Sequence, residues 1–180
     1  CSEGMVPDPK EWSEPIGERA RAVYLFGAGH VGRALALALA PLPFAVRWID
    51  ARREAFPAHA PANVALIHTP EPAAELATAP DGALIVVMTH SHALDLEIVA
   101  EALRAERFGF VGLIGSTTKR ARFVSQMRAA GLSQDCLARL VCPIGLPGVE
   151  GKAPAVIAAA TAAQLIIVSE KLSKTERPDS

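Results

Sequence analysis

Short, uninterrupted apolar runs alternate along this chain with longer stretches whose apolar positions recur at helical spacing. The runs cover residues 22–26, 44–49, 63–68, 83–89, 108–114 and 140–142. An Ala/Leu-rich stretch after residue 32 and patterns near 72–78, 93–106, 117–130 and 154–172 have the 3.6-residue period of helices. Residues 84–88 and 111–114 are apolar without alternation, as expected of strands covered by helices on both faces. Regular alternation of strand and helix predicts an α/β, Rossmann-like three-layer fold: a mainly parallel sheet with helices on both faces.

The ends of the chain break this pattern. Residues 1–21 are polar and carry Pro7, Pro9 and Pro15, which reads as a polar linker or the remnant of an absent amino-terminal domain. Residues 22–172 form the Rossmann-like domain, and 173–180 are expected to be a flexible tail. The first residue is Cys1 rather than Met, which fits a fragment of a longer chain or a processed lipoprotein.

Composition narrows the partners. Hydrophobic residues make up 51% of the chain and the net charge is −1, which excludes the basic footprint of a nucleic-acid binder and the composition of a disordered chain. The sequence shows no apolar run approaching the roughly 20 residues of a membrane span, so a cytoplasmic protein with no membrane partner is expected. Three cysteines, Cys1, Cys136 and Cys142, without C-x-x-C spacing fit reduced thiols.

Candidate chemistry collects where the predicted strands end. Gly27-Ala28-Gly29-His30-Val31-Gly32 follows the first strand and opens a helix, and Asp50 ends the next apolar run 18 residues beyond Gly32. This is the context of a dinucleotide-type glycine turn. Gly27 allows the tight turn, Gly29 lets backbone N–H groups approach a phosphate, Gly32 lets the helix pack on the strand, and an acid about 20 residues on grips a ribose. Asp50 suits a ribose diol and Arg52 a 2′-phosphate, or Arg52 and Arg53 lie in solvent. His30, inside the turn, would face the occupant of the phosphate site.

Gly115-Ser116 is followed by Lys119, Arg120 and Arg122. Ser116 is a natural N-cap, but three cations crowd the helix end where the dipole disfavours them. A phosphate held by Ser116 and Lys119 would offset them; solvated surface cations are the alternative. Ser116-x-x-Lys119 matches the serine–lysine pattern of β-lactamases, but the companion motifs are missing. Thr89-His90-Ser91-His92 with Asp95 fits three roles: a histidine pair on a metal, general acid–base use of His90 or His92, and hydrogen bonding to a ligand or within the loop. A metal needs a third ligand that no sequence feature brings close, so no metal site is assigned. Cys142-Pro143 is read either as an inert buried thiol or as a thiolate activated by Lys119 or Lys152. Cys136, His59 and His68 read as structural or surface residues.

Five motifs in order resemble the xanthine dehydrogenase accessory protein family, XdhC/CoxI-like. They are the Gly27 to Gly32 turn, Trp48-Ile49-Asp50-Ala51-Arg52, Met88-Thr89-His90-Ser91-His92-Ala93-Leu94-Asp95, Gly112-Leu113-Ile114-Gly115-Ser116 with Lys119-Arg120, and Pro143-Ile144-Gly145-Leu146. The resemblance covers about residues 23–172, the carboxyl-terminal half of that family. It implies a molybdenum cofactor (molybdopterin) chaperone, a non-catalytic accessory protein serving xanthine dehydrogenase or a related molybdenum hydroxylase. Where the family usually reads Pro-x-Glu-Ile-Ala, this chain reads Pro154-Ala155-Val156-Ile157-Ala158, so Val156 stands in place of an acid. An NAD(P)-dependent oxidoreductase and a nucleotide-sensing regulatory domain remain open on the same turn. Against the first, no Tyr-x-x-x-Lys relay is present and the only tyrosine, Tyr24, lies inside the first strand. The Ala-rich helix over 153–165 has an apolar surface for the sheet or for a second subunit, which leaves a homodimer open.

Overall fold

The computed structural model describes residues 20–177, so the segment read as a linker up to residue 19, Cys1 included, and residues 178–180 lie outside the described residues. Strands β1 (Arg21–Phe26), β2 (Phe44–Asp50), β3 (Val64–His68), β4 (Leu84–Val87), β5 (Phe110–Leu113) and β6 (Leu140–Val141) make one sheet in the order β3-β2-β1-β4-β5-β6. Every pairing is parallel. The order reverses between β1 and β4, and in such sheets ligands dock beyond the carboxyl ends of the strands at that point.

Helices α1 (His30–Leu39), α2 (His92–Ala105), α3 (Thr117–Ala129), α4 (Gln134–Ala138) and α5 (Pro154–Glu176) cover the sheet. One core, containing Phe26, Ile85, Val87 and Leu113 from the strands, joins α2, α3 and α4 through Ile98, Phe123, Met127 and Leu137. The other joins Leu25, Trp48 and Val86 to α1 and α5 through Leu35, Leu39, Ala158 and Leu165. Alternate residues of β1 therefore point into different cores, which is why its sequence shows no polar face.

Three expectations change. Residues 72–78, read as helix, form a 3-10 segment, Pro72–Thr78, whose short turn lays Pro72, Ala73 and Leu76 on the core. The tail expected to begin at residue 173 is helical through Glu176, where Arg21 at the start of β1 donates from Nη1 and Nη2 to the two Glu176 carboxylate oxygens, both at 2.9 Å. A bidentate contact between residues 155 apart leaves no local sequence signal. Finally, α5 has 23 residues and by length and composition alone is apolar enough to cross a membrane. Its small buried side chains Ala158 and Ala162 lie in the second core, where the helix packs closely on α1.

Candidate functional site

The glycine turn is held by two hydrogen bonds from β2. Gly27 N–H donates to Ile49 O at 2.8 Å, and Trp48 Nε1 donates to Gly27 O at 2.8 Å. Gly27 has φ +117, and a side chain there would strike the carbonyl of Met88, while a side chain at Gly32 would strike the carbonyl of Gly27. These two glycines are thus demanded by the fold. Gly29 is different: its φ of −77 suits any residue, and a Cβ placed on it meets nothing within 4 Å. Its bare backbone faces open space.

Gly29 is also the N-cap of α1. Serines cap α2, α3 and α4, with Ser91 Oγ accepting from Leu94 N, Ser116 Oγ from Lys119 N and Ser133 Oγ from Cys136 N. No side chain caps α1, and its first turn contains no acid. Among these four helices only α1 leaves its first amides without a capping side chain, at the glycine with an open face. Unsatisfied amides and the positive end of the helix dipole make such a terminus receptive to an anion. His30, the first residue of α1, is exposed beside it.

Asp50, at the end of β2, is 3% exposed, and both of its oxygens are occupied by the chain itself. Oδ2 accepts from Ala28 N at 2.8 Å and from Arg52 Nη2 at 3.1 Å; Oδ1 accepts from Arg52 N at 2.8 Å and Arg52 Nε at 3.1 Å. Burial pushes this carboxyl up, but the hydrogen bonds from Arg52 and Ala28 outweigh it and hold the group below the usual aspartate range. Ala28 was not singled out in the sequence, because a donor backbone amide has no residue-type signature.

The next strand ends meet this turn. Met88 N donates to Phe26 O at 2.9 Å and Ile114 N to Val87 O at 3.0 Å, so β1, β4 and β5 finish side by side. Thr89 folds its loop inward: its N and Oγ1 donate to Asp95 Oδ1 at 2.9 and 2.7 Å. Asp95 takes the hydrogen-bonding role within the loop. It is fully buried in the first turn of α2, and Lys119 Nζ donates to its Oδ2 at 3.0 Å. Lys119 Nζ also donates to Ile114 O at 2.9 Å, and its stem fills the space beside Gly115. The anion offsetting Lys119 at the start of α3 is therefore Asp95.

His90 is exposed in the loop; His92 opens α2, where Arg122 Nη2 lies 3.3 Å from its Nδ1 and the Phe123 ring stands edge-on to it. Among the described residues, no three His, Cys, Asp or Glu side chains come together in a group able to hold a metal ion. Cys142 lies just beyond β6, buried, with Sγ 3.9 Å from Ser116 O. Burial pushes its thiol up despite the charges of Lys119 and Arg120, which favours the protonated form. Gly145 N–H donates to Gln164 Oε1 at 2.8 Å, tying the Pro143 to Leu146 turn to α5. Val156, in the first turn of α5, is 38% exposed. The Gly27 to Gly32 turn, Asp50 with Arg52, Thr89, Gly115 with Ser116, and Cys142 thus share one edge of the sheet.

The model of the XdhC Rossmann domain matches residues 23–165. Among solved structures, one described as a xanthine dehydrogenase from Bacillus halodurans aligns with a TM-score of 0.73 and 22% identity, over 99% of this chain and 55% of that one. A Rossmann-fold NAD(P)-binding family protein from Shigella flexneri aligns with a TM-score of 0.44 and 19% identity, over 63% of this chain and 64% of that one. This chain thus spans about half the length of the Bacillus protein. No curated protein matches the sequence.

Proposed function

We propose, from the premise that this chain belongs to the XdhC Rossmann-domain family, that it binds molybdenum cofactor and supports its insertion into xanthine dehydrogenase or a related molybdenum hydroxylase. The observation that carries the reading is the open face of Gly29 at an α1 terminus without a capping side chain. Molybdopterin carries a phosphate, and its dinucleotide form a pyrophosphate; either suits that terminus. The residues fit such an end, because the turn is rigidly held by Trp48 and Ile49 while its one unobstructed glycine faces outward.

In this reading Gly27 and Gly32 shape the turn, and Gly29 and the first amides of α1 hold the phosphate. Arg52, His30, His90, Thr89, Ser116, His92 and Cys142 are the further groups assigned to the ligand in this reading. The cofactor supplies the metal chemistry once delivered to its enzyme. The chain's own residues bind, orient and shield it, as a non-catalytic accessory protein in the cytoplasm.

Two assays on one preparation test this: activation of an apo molybdenum hydroxylase, and NAD(P)H oxidation across carbonyl and hydroxy substrates. Cofactor retention and transfer without nicotinamide turnover is the expected result. Catalytic nicotinamide turnover with no transfer would overturn the reading in favour of an oxidoreductase.

A further inference from the structure

We infer that the Asp50–Arg52 pair is the specificity element of the glycine-turn site, selecting a ligand that ends in a phosphate and rejecting one that presents a ribose diol. The inference rests on the reading that the Gly27 to Gly32 turn holds a phosphate-bearing ligand. In dinucleotide sites of this fold the acid at the end of the second strand grips the diol, and for that it must offer free lone pairs. A carboxylate has about four acceptor positions. Asp50 receives four donors from its own chain, the backbone amides of Ala28 and Arg52 and the Nε and Nη2 of Arg52, and it is almost fully buried. A diol arriving here finds no acceptor.

Arg52 gains what Asp50 gives up. The carboxylate clamps the guanidinium along its Nε–Nη2 side, so the fork formed by Nη1 and the second Nη2 hydrogen is directed away from Asp50. That side chain is 36% exposed. Its position is fixed relative to the turn, because Oδ2 of Asp50 accepts from Arg52 Nη2 and from Ala28 N at once. A planar two-donor fork held beside the glycine turn matches two oxygens of a phosphate. Asp50 is then a positioning residue and Arg52 the group that meets the ligand. The shared chemistry is a terminal phosphate monoester, which both molybdopterin and the 2′-phosphate of NADP supply.

The test measures dissociation constants of the full chain for four probes: molybdopterin, molybdopterin treated with phosphatase, NADP and NAD. Parent, Arg52→Ala, Arg52→Lys and Gly29→Val proteins are compared after their thermal midpoints are shown to agree. The parent should bind a phosphorylated probe about 10- to 100-fold more tightly than its partner lacking that phosphate, the range of charge-assisted hydrogen bonds. Arg52→Ala should erase that ratio for NADP and NAD, which share the pyrophosphate the turn would hold, and reduce it for molybdopterin, and Arg52→Lys should restore part of it. A preference confined to the NADP and NAD pair would support the selector while overturning the cofactor reading. If Gly29→Val abolishes binding but Arg52→Ala keeps the parent's ratio, the turn is the site and this inference fails. Equal binding of both members of each pair by the parent, or binding of no probe, would overturn it as well.

Discussion

Lys119 Nζ donates to Asp95 Oδ2 at 3.0 Å, an ion pair between the first turns of α3 and α2 in which the carboxylate is fully buried and the ammonium nearly so. Asp95 in turn accepts from Thr89 N and Oγ1, so the pair fixes the loop after β4. Removing one partner of such a pair leaves an uncompensated charge. Lys119→Met should therefore cost roughly 3–5 kcal/mol in chemical denaturation. Adding Asp95→Asn should recover part of that loss. A Lys119→Met protein within about 1 kcal/mol of the parent would show that the pair has little structural weight.

At Gly29, stability and binding should move in opposite directions. Serine is at least as good an N-cap as glycine, so Gly29→Ser should leave stability unchanged or raise it by a few tenths of a kcal/mol. Its hydroxyl would engage the same first-turn amides and should weaken phosphate-bearing ligands. Gly32→Ala is the contrasting variant: its Cβ would collide with the Gly27 carbonyl, and a loss of about 2 kcal/mol or more in thermal or urea unfolding is expected.

Acid should expose Asp50. Its carboxyl titrates lower in the folded chain than in the unfolded one, so the unfolded state takes up the proton first as pH falls. The stability it contributes is complete above the unfolded value of about 4 and is lost as pH drops through the lower folded value. Arg52→Ala removes two of the four donors, Nε and Nη2, keeping only the backbone amides, and should move this acid limb to higher pH in a pH series of urea melts.

Cys142 should be a slow nucleophile. With its thiol pushed up by burial, alkylation by iodoacetamide near pH 8, followed by peptide mass spectrometry, should label Cys142 in the native protein far more slowly than in the denatured one. The sign at alkaline pH is opposite to that of Asp50: this group's contribution to stability is present below the unfolded thiol value and is lost as pH rises through the higher folded one. Rapid native labelling would instead mark an activated thiolate.

The strands were legible because parallel sheets bury both faces, which leaves apolar runs such as Leu84 to Val87 with no alternation to misread. The glycine turn was legible for a related reason, since Gly27 and Gly32 stand where carbonyls leave no room for a side chain. What could not be read were pairings across the chain. Asp50 and Lys119 carry the residue types of ligand-binding groups, but their engagement with Ala28 and Asp95 depends on how loops more than 20 residues apart in sequence close on one another. The last turn of α5 was hidden similarly, because the polar composition of 173–176 gives no hint of Arg21 waiting at the sheet's first residue.

Trp48 is 1% exposed and donates its indole N–H to the carbonyl of Gly27. The emission of a buried indole depends on that hydrogen bond, and here the acceptor belongs to the first glycine of the turn. The domain thus carries an optical gauge against its own glycine turn. The chain's other tryptophan, Trp12, lies outside the described residues, and replacing it by phenylalanine would leave a single indole whose emission follows the turn directly.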